Sequence, residues 1–158
     1  MDVKFKYQSL ILQMRKMLIE WLHEGGEQLK LHSRTIFQAV VLHDRFMHKS
    51  DRPLDFQNGM DEIDRFMINA LACLFISAKN NEIDTQLAHS TKFMNLLPSK
   101  TQRSCYKREA QTGNKSQRLL DAELEILLAL NWDCCQQVSF SEVLEVFTCQ
   151  GILYTSDR

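Results

Sequence analysis

The chain has 158 residues, of which 44% are hydrophobic and 25% are charged, and its formal net charge is −1. This length suits a single core and is too short for two ordinary domains, so one domain spanning residues 1–158 is expected. The near-neutral charge gives no general attraction to nucleic acid or to an anionic membrane, and neither is expected as a partner.

The cysteines and the apolar runs indicate the compartment. The five cysteines include no C-x-x-C pair, which argues against a zinc or redox site and favours a reduced, intracellular protein of the nucleus or cytoplasm. The longest apolar run, from Ala70 to Ile76, is far shorter than a membrane span, and no signal peptide is recognisable. Because the sequence lacks a Gly-rich phosphate loop, a catalytic triad order and metal-ligand spacing, we expect neither an enzyme nor a cofactor.

Helical periodicity dominates the chain and predicts an all-α fold. The first helix is expected from about Gln8 to Trp21 or a little beyond, and Gly25 and Gly26 are its expected stop. One side of this helix is a broad apolar face, and Arg15 falls within that face.

The second predicted helix runs from an N-cap at Ser33 to about His48 and is apolar almost all round, yet it contains Asp44. Because an isolated buried ion is very costly, Arg15 and Asp44 are predicted to form a buried ion pair, and truncating either residue should cost about 3–5 kcal/mol. The alternative is that Arg15 extends to solvent while Asp44 faces water at a helix end.

Three further helices complete the prediction. The third, from about Asp61 to Lys79, is apolar on every side and should be the buried centre of a five-helix bundle. A shorter fourth helix is expected from about Thr85 to Leu97, and a fifth from about Gln117 to Asn131. The intervening segment at about 98–118 has six basic residues and one acid, so a basic, flexible insertion is favoured there over a phosphate-binding patch.

Four segments, in chain order, resemble the N-terminal box of the cyclin family. Residues 14–24, Met-Arg-Lys-Met-Leu-Ile-Glu-Trp-Leu-His-Glu, are similar to the opening helix of that family, and residues 43–47, His-Asp-Arg-Phe-Met, are similar to its second helix. Residues 71–79 and 82–83 resemble the central helix and the residues after it. Residues 122–133 resemble the last helix, in which an acid precedes an aromatic-Asp pair by nine residues.

This resemblance implies both a fold and an activity. A single cyclin box would bind a cyclin-dependent protein kinase and stabilise its active arrangement, without performing chemistry itself. The kinase-binding residues of the family match Lys79 and Glu123, and its buried ion pair matches Arg15 and Asp44. Without the resemblance, Lys79 would be interpreted as a solvated cation at a helix C-terminus and Glu123 as an exposed helix acid.

A second site is implied on the first helix, where cyclins dock substrates and inhibitors. The matching residues are Met14, Leu18, Trp21 and Glu24, which form an apolar edge beside an acid and would suit a peptide with a basic-x-Leu motif. A Met-rich helical stripe is otherwise ordinary core. Met67 departs from the family, because many docking cyclins have a polar Gln at this position.

Other departures bear on the function. Asn80 and Asn81 replace the usual aromatic and acidic residues after the family lysine, and the sequence ends soon after the fifth helix, so a second cyclin box is not expected. Two alternatives to kinase activation follow. One is a cyclin-fold transcription adaptor that contacts nucleic acid through residues 100–118, and the other is a scaffold that binds a kinase or a substrate without activation.

Overall fold

A computed structural model describes residues 3–49, 60–83, 89–109, 116–134 and 140–149. The described residues form seven helices and no strand. The predicted all-α class is therefore confirmed, although the prediction counted five helices. The helices are α1 (Val3–Gln28), α2 (Ser33–Lys49), α3 (Met60–Asn81), α4 (Ser90–Met94), α5 (Ser99–Glu109), α6 (Gln117–Ala129) and α7 (Phe140–Cys149).

The third helix is the buried axis of the bundle, as predicted. Every side chain from Ile68 to Ala78 is buried, and α3 packs against α1, α2, α4 and α6. Its small residues, among them Ala72 and Cys73, allow close approach of the neighbouring helices. Burial raises the pKa of the Cys73 thiol well above its ordinary value, so Cys73 behaves as a small apolar residue.

The first helix continues through the two glycines to Gln28, so the predicted stop at Gly25 and Gly26 is wrong. Its end is made two residues later, where Lys30 adopts a left-handed conformation with φ of 59°. The amide of Leu31 then donates to the carbonyl of Gly26 at 2.9 Å, which completes a Schellman motif. A lysine therefore fills the position that glycine usually occupies.

Close packing explains the two glycines. A Cβ atom at Gly26 would lie 2.5 Å from the Ile36 side chain, and one at Gly25 would lie 3.0 Å from a terminal carbon of Leu96. Both glycines are buried. They allow α1 to contact α2 and the turn after α4, rather than ending the helix.

The segment predicted as a flexible insertion is helical over Ser99–Glu109, where it forms α5. Thr101 Oγ1 donates to the buried carboxylate of Asp64 at 2.6 Å, and Cys105 is completely buried. These contacts attach α5 to the bundle, so the prediction is wrong for this stretch. Residues 110–115 lie outside the described residues. So do residues 85–88 of the predicted fourth helix, of which Ser90–Met94 is observed as α4.

The predicted pair between Arg15 and Asp44 is present, but it is not buried. Arg15 Nη2 lies 2.7 Å from Asp44 Oδ2, and the two side chains are 46% and 42% exposed. Arg15 Nε also donates to Oδ1 at 3.0 Å, and this hydrogen bonding is the main reason that the pKa of Arg15 is raised. A pair so exposed is worth at most about 1 kcal/mol, because water solvates whichever partner remains.

Candidate functional site

The two residues predicted to contact a kinase lie against each other. Lys79 is in the last turn of α3, and its Nζ is 2.6 Å from Glu123 Oε1 on α6. The same ammonium lies 4.2 Å above the centre of the Phe75 ring. Lys79 remains substantially exposed, whereas the Glu123 side chain is 13% exposed. A cation held by a carboxylate and an aromatic face has a well-defined position at the surface.

The outer face of α6 is apolar where a surface helix is normally polar. Its inner face is buried through Leu119, Ala122 and Ile126. On the outer face, Leu124 and Leu128 are 50% and 58% exposed, and Leu120 is 36% exposed. We call Leu120, Leu124 and Leu128 the leucine stripe.

Glu123 lies at the boundary between the buried face of α6 and the leucine stripe. Its spacing of three residues from Leu120 places the two side chains next to each other on the helix surface. The Lys79–Glu123 pair therefore borders the stripe along one edge. Beyond the end of α6, Trp132 has φ of 61° and is 64% exposed, next to Asn131 with φ of 52°. A left-handed conformation is unusual for an aromatic residue, and such strain often accompanies a functional position.

A buried acid, Glu82, ties the end of α3 to the start of α2. Glu82 Oε1 accepts hydrogen bonds from the His32 amide at 2.9 Å and from Thr35 Oγ1 at 2.5 Å. One residue earlier, the Asn81 side chain donates to Gln38 of α2. These contacts fix the last turn of α3 and therefore the position of Lys79. Sequence reasoning missed this role, although an acid directly after an almost wholly apolar helix was a usable signal.

Asn81 is thus engaged within the protein. Its amide pairs with Gln38, so this departure from the family replaces an acid with a neutral group committed to an internal contact. The Asn80 side chain is exposed.

The predicted docking residues of α1 are only partly accessible. Leu18 is 3% exposed and belongs to the core, so its assignment as a contact residue is wrong. Met14 and Trp21 are partly buried, and Trp21 Nε1 donates to the Leu96 carbonyl at 3.3 Å. Glu24 is exposed as expected. One turn after Met14, Met17 is 63% exposed and offers the accessible apolar surface that Leu18 does not.

No group of three His, Cys, Asp or Glu side chains among the described residues is arranged to hold a metal ion. Within the same residues, no helix is both long enough and apolar enough to cross a membrane. The arrangement combines one fixed ion pair, an apolar stripe and an exposed tryptophan, which are features of a protein-binding surface.

A comparison with known families decides the identity. The family model for the cyclin N-terminal domain matches residues 2–135. The chain belongs to the cyclin family. The matched region of this cyclin contains the Lys79–Glu123 pair, the leucine stripe, Trp132 and the docking edge of α1.

Several curated cyclins are similar to the chain. The G1/S-specific cyclin-E1 of Danio rerio is 27% identical over 127 residues, which cover 80% of this cyclin and 25% of the relative. The G1/S-specific cyclin-E of Drosophila melanogaster is 27% identical over 121 residues, covering 77% and 14%. The G2/mitotic-specific cyclin CYB1 of Candida albicans is 35% identical over 79 residues, covering 50% and 14%.

The matched part of this cyclin therefore spans a quarter or less of the length of these relatives. No solved structure gave a significant match. Membership of the family establishes a cyclin-type regulatory role for the domain.

Proposed function

We propose that this cyclin binds a cyclin-dependent protein kinase and stabilises the active state of that kinase. The observation that supports the proposal is the Lys79–Glu123 pair at the edge of an exposed leucine stripe. The charged pair would orient the partner and the stripe would supply most of the affinity, because apolar burial dominates association. The cyclin would contribute no catalytic group.

The pair can engage a partner without breaking. An ammonium has three protons, so Lys79 can keep its contact with Glu123 and still donate to a main-chain carbonyl of the kinase. The second carboxylate oxygen of Glu123 can accept from a main-chain amide. Because both side chains are already ordered, little rotamer entropy would be lost on binding.

Activation requires differential affinity. A cyclin shifts a kinase toward its active state only to the extent that it binds this state more tightly, and tenfold tighter binding corresponds to about 1.4 kcal/mol. A scaffold would bind both states equally. A kinase assay with added cyclin separates activation from sequestration, because a scaffold would leave the turnover number unchanged or lower it.

The decisive binding experiment is calorimetry with candidate kinases. Replacing Leu124 and Leu128 together with Ser should weaken binding by a factor of roughly 30 to 140, since about 2–3 kcal/mol of apolar burial is lost. Ile63→Ser is the matched control, because Ile63 is exposed on α3 and lies outside the stripe. The proposal fails if no kinase binds the wild-type chain, or if the double variant and the control bind equally.

We further propose that α1 docks a peptide with a basic-x-Leu motif. Met14, Met17 and Trp21 would hold the leucine, and the exposed Glu24 would pair with the basic residue. Fluorescence polarisation with an Arg-x-Leu peptide tests this site, with Glu24→Lys expected to abolish binding. Glu20→Lys, an equal charge change at another exposed position of α1, should have little effect. Equal losses in both variants would point to a general charge effect instead.

A second candidate function uses the exposed cations of α5, Lys100 and Arg103. If this cyclin contacts nucleic acid through residues 100–118, binding should weaken steeply with salt. Neutralising Lys100 and Arg103 should then flatten the salt dependence. Affinity that does not respond to these changes would exclude this function for α5.

A further inference from the structure

The sequence contains the kind of motif that α1 is proposed to dock. A basic residue is followed two positions later by leucine at three places, Lys16–Leu18, Arg52–Leu54 and Arg118–Leu120. The first lies within α1 and the third within α6, and a helical segment cannot bind a partner as an extended peptide. The second begins the sequence Arg-Pro-Leu-Asp-Phe at 52–56, between α2 and α3 and outside the described residues.

The docking edge of α1 consists of Met14, Met17, Trp21 and Glu24. These residues share one face of the helix, because they are spaced three or four residues apart. Met17 is 63% exposed and Glu24 is exposed, whereas the other two side chains are partly covered. The edge is about 15 Å long from its first residue to its last, at about 1.5 Å per helical residue. It therefore presents an acid at one end and an apolar surface along the rest.

A peptide with the sequence of residues 52–56 matches this edge in spacing and charge. In an extended peptide, alternate side chains share one face about 7 Å apart, so Arg52, Leu54 and Phe56 would span about 13 Å. Placed antiparallel to α1, the arginine would meet Glu24 while the two apolar side chains cover the methionines. The proline that follows the arginine restricts it to extended conformations, so less entropy is lost on docking.

The direction of α2 bears on whether a chain can dock this segment on its own edge. Arg15, in the first half of α1, pairs with Asp44 near the end of α2. Gly26, near the end of α1, lies against Ile36 near the start of α2. The two helices are therefore antiparallel, and α2 ends on the side of Arg15 that is remote from Glu24.

The distances along the helices disfavour docking within one chain. Lys49 ends α2 five residues past Asp44, and Glu24 lies nine residues past Arg15, which separates Lys49 from Glu24 by about 21 Å along the axes. The three residues from Lys49 to Arg52 span only about 10 Å when fully extended. The chain would also have to reverse its direction on leaving α2. A second copy is subject to neither restriction.

We propose that residues 52–56 of one copy dock on the α1 edge of a second copy, so that the chain forms a reciprocal dimer. The inference rests on the proposed docking of basic-x-Leu peptides by α1, for which it names a ligand. Each copy carries one edge and one segment, so a two-fold arrangement occupies both and closes the assembly. Because the dimer covers the docking edge, self-association competes with the binding of other peptides.

Sedimentation equilibrium of the full chain tests for the dimer. The average mass should rise from 18.5 kDa toward twice that value as the concentration increases from micromolar to nearly millimolar. Leu54→Ser should weaken the association roughly ten- to a hundredfold, because the leucine supplies much of the apolar contact. Ile83→Ser is the matched control, since Ile83 is exposed and lies outside both the segment and the edge. It should leave the association unchanged.

An exchange of charges shows whether docking occurs between copies. Glu24→Lys and Arg52→Glu should each prevent self-association, because each variant brings like charges together. An equimolar mixture of the two variants should dimerise as the wild type does, since each copy then complements the other at both contacts. Docking within one chain predicts instead that the mixture stays monomeric.

Three results would overturn the proposal. The first is a mass that stays at 18.5 kDa up to nearly millimolar concentration. The second is equal weakening of the association by Leu54→Ser and Ile83→Ser, and the third is a mixture of the charge variants that remains monomeric. The Arg-x-Leu peptide identifies which proposal has failed. If this peptide binds a monomeric chain, only self-docking is wrong, and if it does not bind, α1 is not a docking site.

Discussion

Replacing His43 with Leu should stabilise this cyclin, and increasingly so in acid. His43 is 2% exposed on α2, its ring meets the Phe66 ring edge-on at 5.0 Å, and neither ring nitrogen has a hydrogen-bond partner. At neutral pH, removing such unpaired polar atoms should raise the free energy of unfolding by about 1 kcal/mol, after the loss of the aromatic contact.

The acid dependence follows from the pKa of His43. Burial lowers this pKa from 6.5 to about 4, opposed by the nearby carboxylate of Asp44 and reinforced by the charge of Arg15. Between these two values the unfolded chain binds a proton that the folded chain does not, so stability falls as the pH falls. Multiplying the difference by 1.36 kcal/mol per unit gives about 3 kcal/mol lost between pH 6.5 and 4.

Urea unfolding followed by circular dichroism at several pH values between 7.5 and 4.5 measures this effect. The wild-type free energy of unfolding should fall more steeply with acid than that of His43→Leu, and the two curves should run parallel above pH 6.5. His48→Leu, an equal change at an exposed position of α2, should keep the wild-type slope. Identical slopes for wild type and His43→Leu would refute the assignment of a buried, neutral histidine.

Three further predictions concern stability. A double-mutant cycle with Arg15→Ala and Asp44→Ala should give a coupling energy of about 0.5–1 kcal/mol, and a value near 3–5 kcal/mol would mean that the pair is buried in solution. Gly26→Ala should destabilise by about 1–3 kcal/mol in urea unfolding, because its Cβ would clash with Ile36, and an unchanged midpoint would show that the helices can separate freely. Glu82→Ala should cost about 1–3 kcal/mol in the same assay while Glu82→Gln costs much less, and equal losses would mean that charge rather than hydrogen bonding matters.

Helical periodicity was sufficient to predict the bounds of the helices that have long apolar patterns. The bounds of α2 and α3 and the start of α6 lie within a few residues of those predicted, because many buried residues define each face. Periodicity also identified Arg15 and Asp44 as partners. It could not predict how exposed the two side chains are, because exposure depends on which tertiary neighbours cover a helix face.

The wrong predictions for α5 and for the end of α1 have two physical causes. The α5 helix buries Thr101 and Cys105, which are not strongly apolar. Its many basic residues therefore show no hydrophobic periodicity from which a helix could be predicted. The glycines of α1 act through packing against Ile36 and Leu96, and such long-range contacts are invisible in a local pattern. Lys30 at the actual helix end carries no glycine signal at all.

The crossing of α6 over α3 connects the fold to the proposed function. Arg65 and Lys79 lie near opposite ends of α3, yet their acidic partners, Glu125 and Glu123, are two residues apart on α6. Residues two apart on a helix point to nearly opposite sides, so α6 must cross α3 steeply, with one acid on each flank. The buried face of α6, through Leu119, Ala122 and Ile126, sets the direction in which the leucine stripe faces, and the two ion pairs flank it.

This double role affects how the kinase site should be tested. Removing Lys79 or Glu123 deletes a proposed contact and also loosens the crossing that orients the stripe, so a loss of kinase binding would have two possible causes. Leu124 and Leu128 are exposed, and their replacement by Ser leaves both ion pairs in place. A loss of affinity in that variant, with unchanged unfolding in urea, therefore reports the surface itself, and retained affinity would remove α6 from the interface.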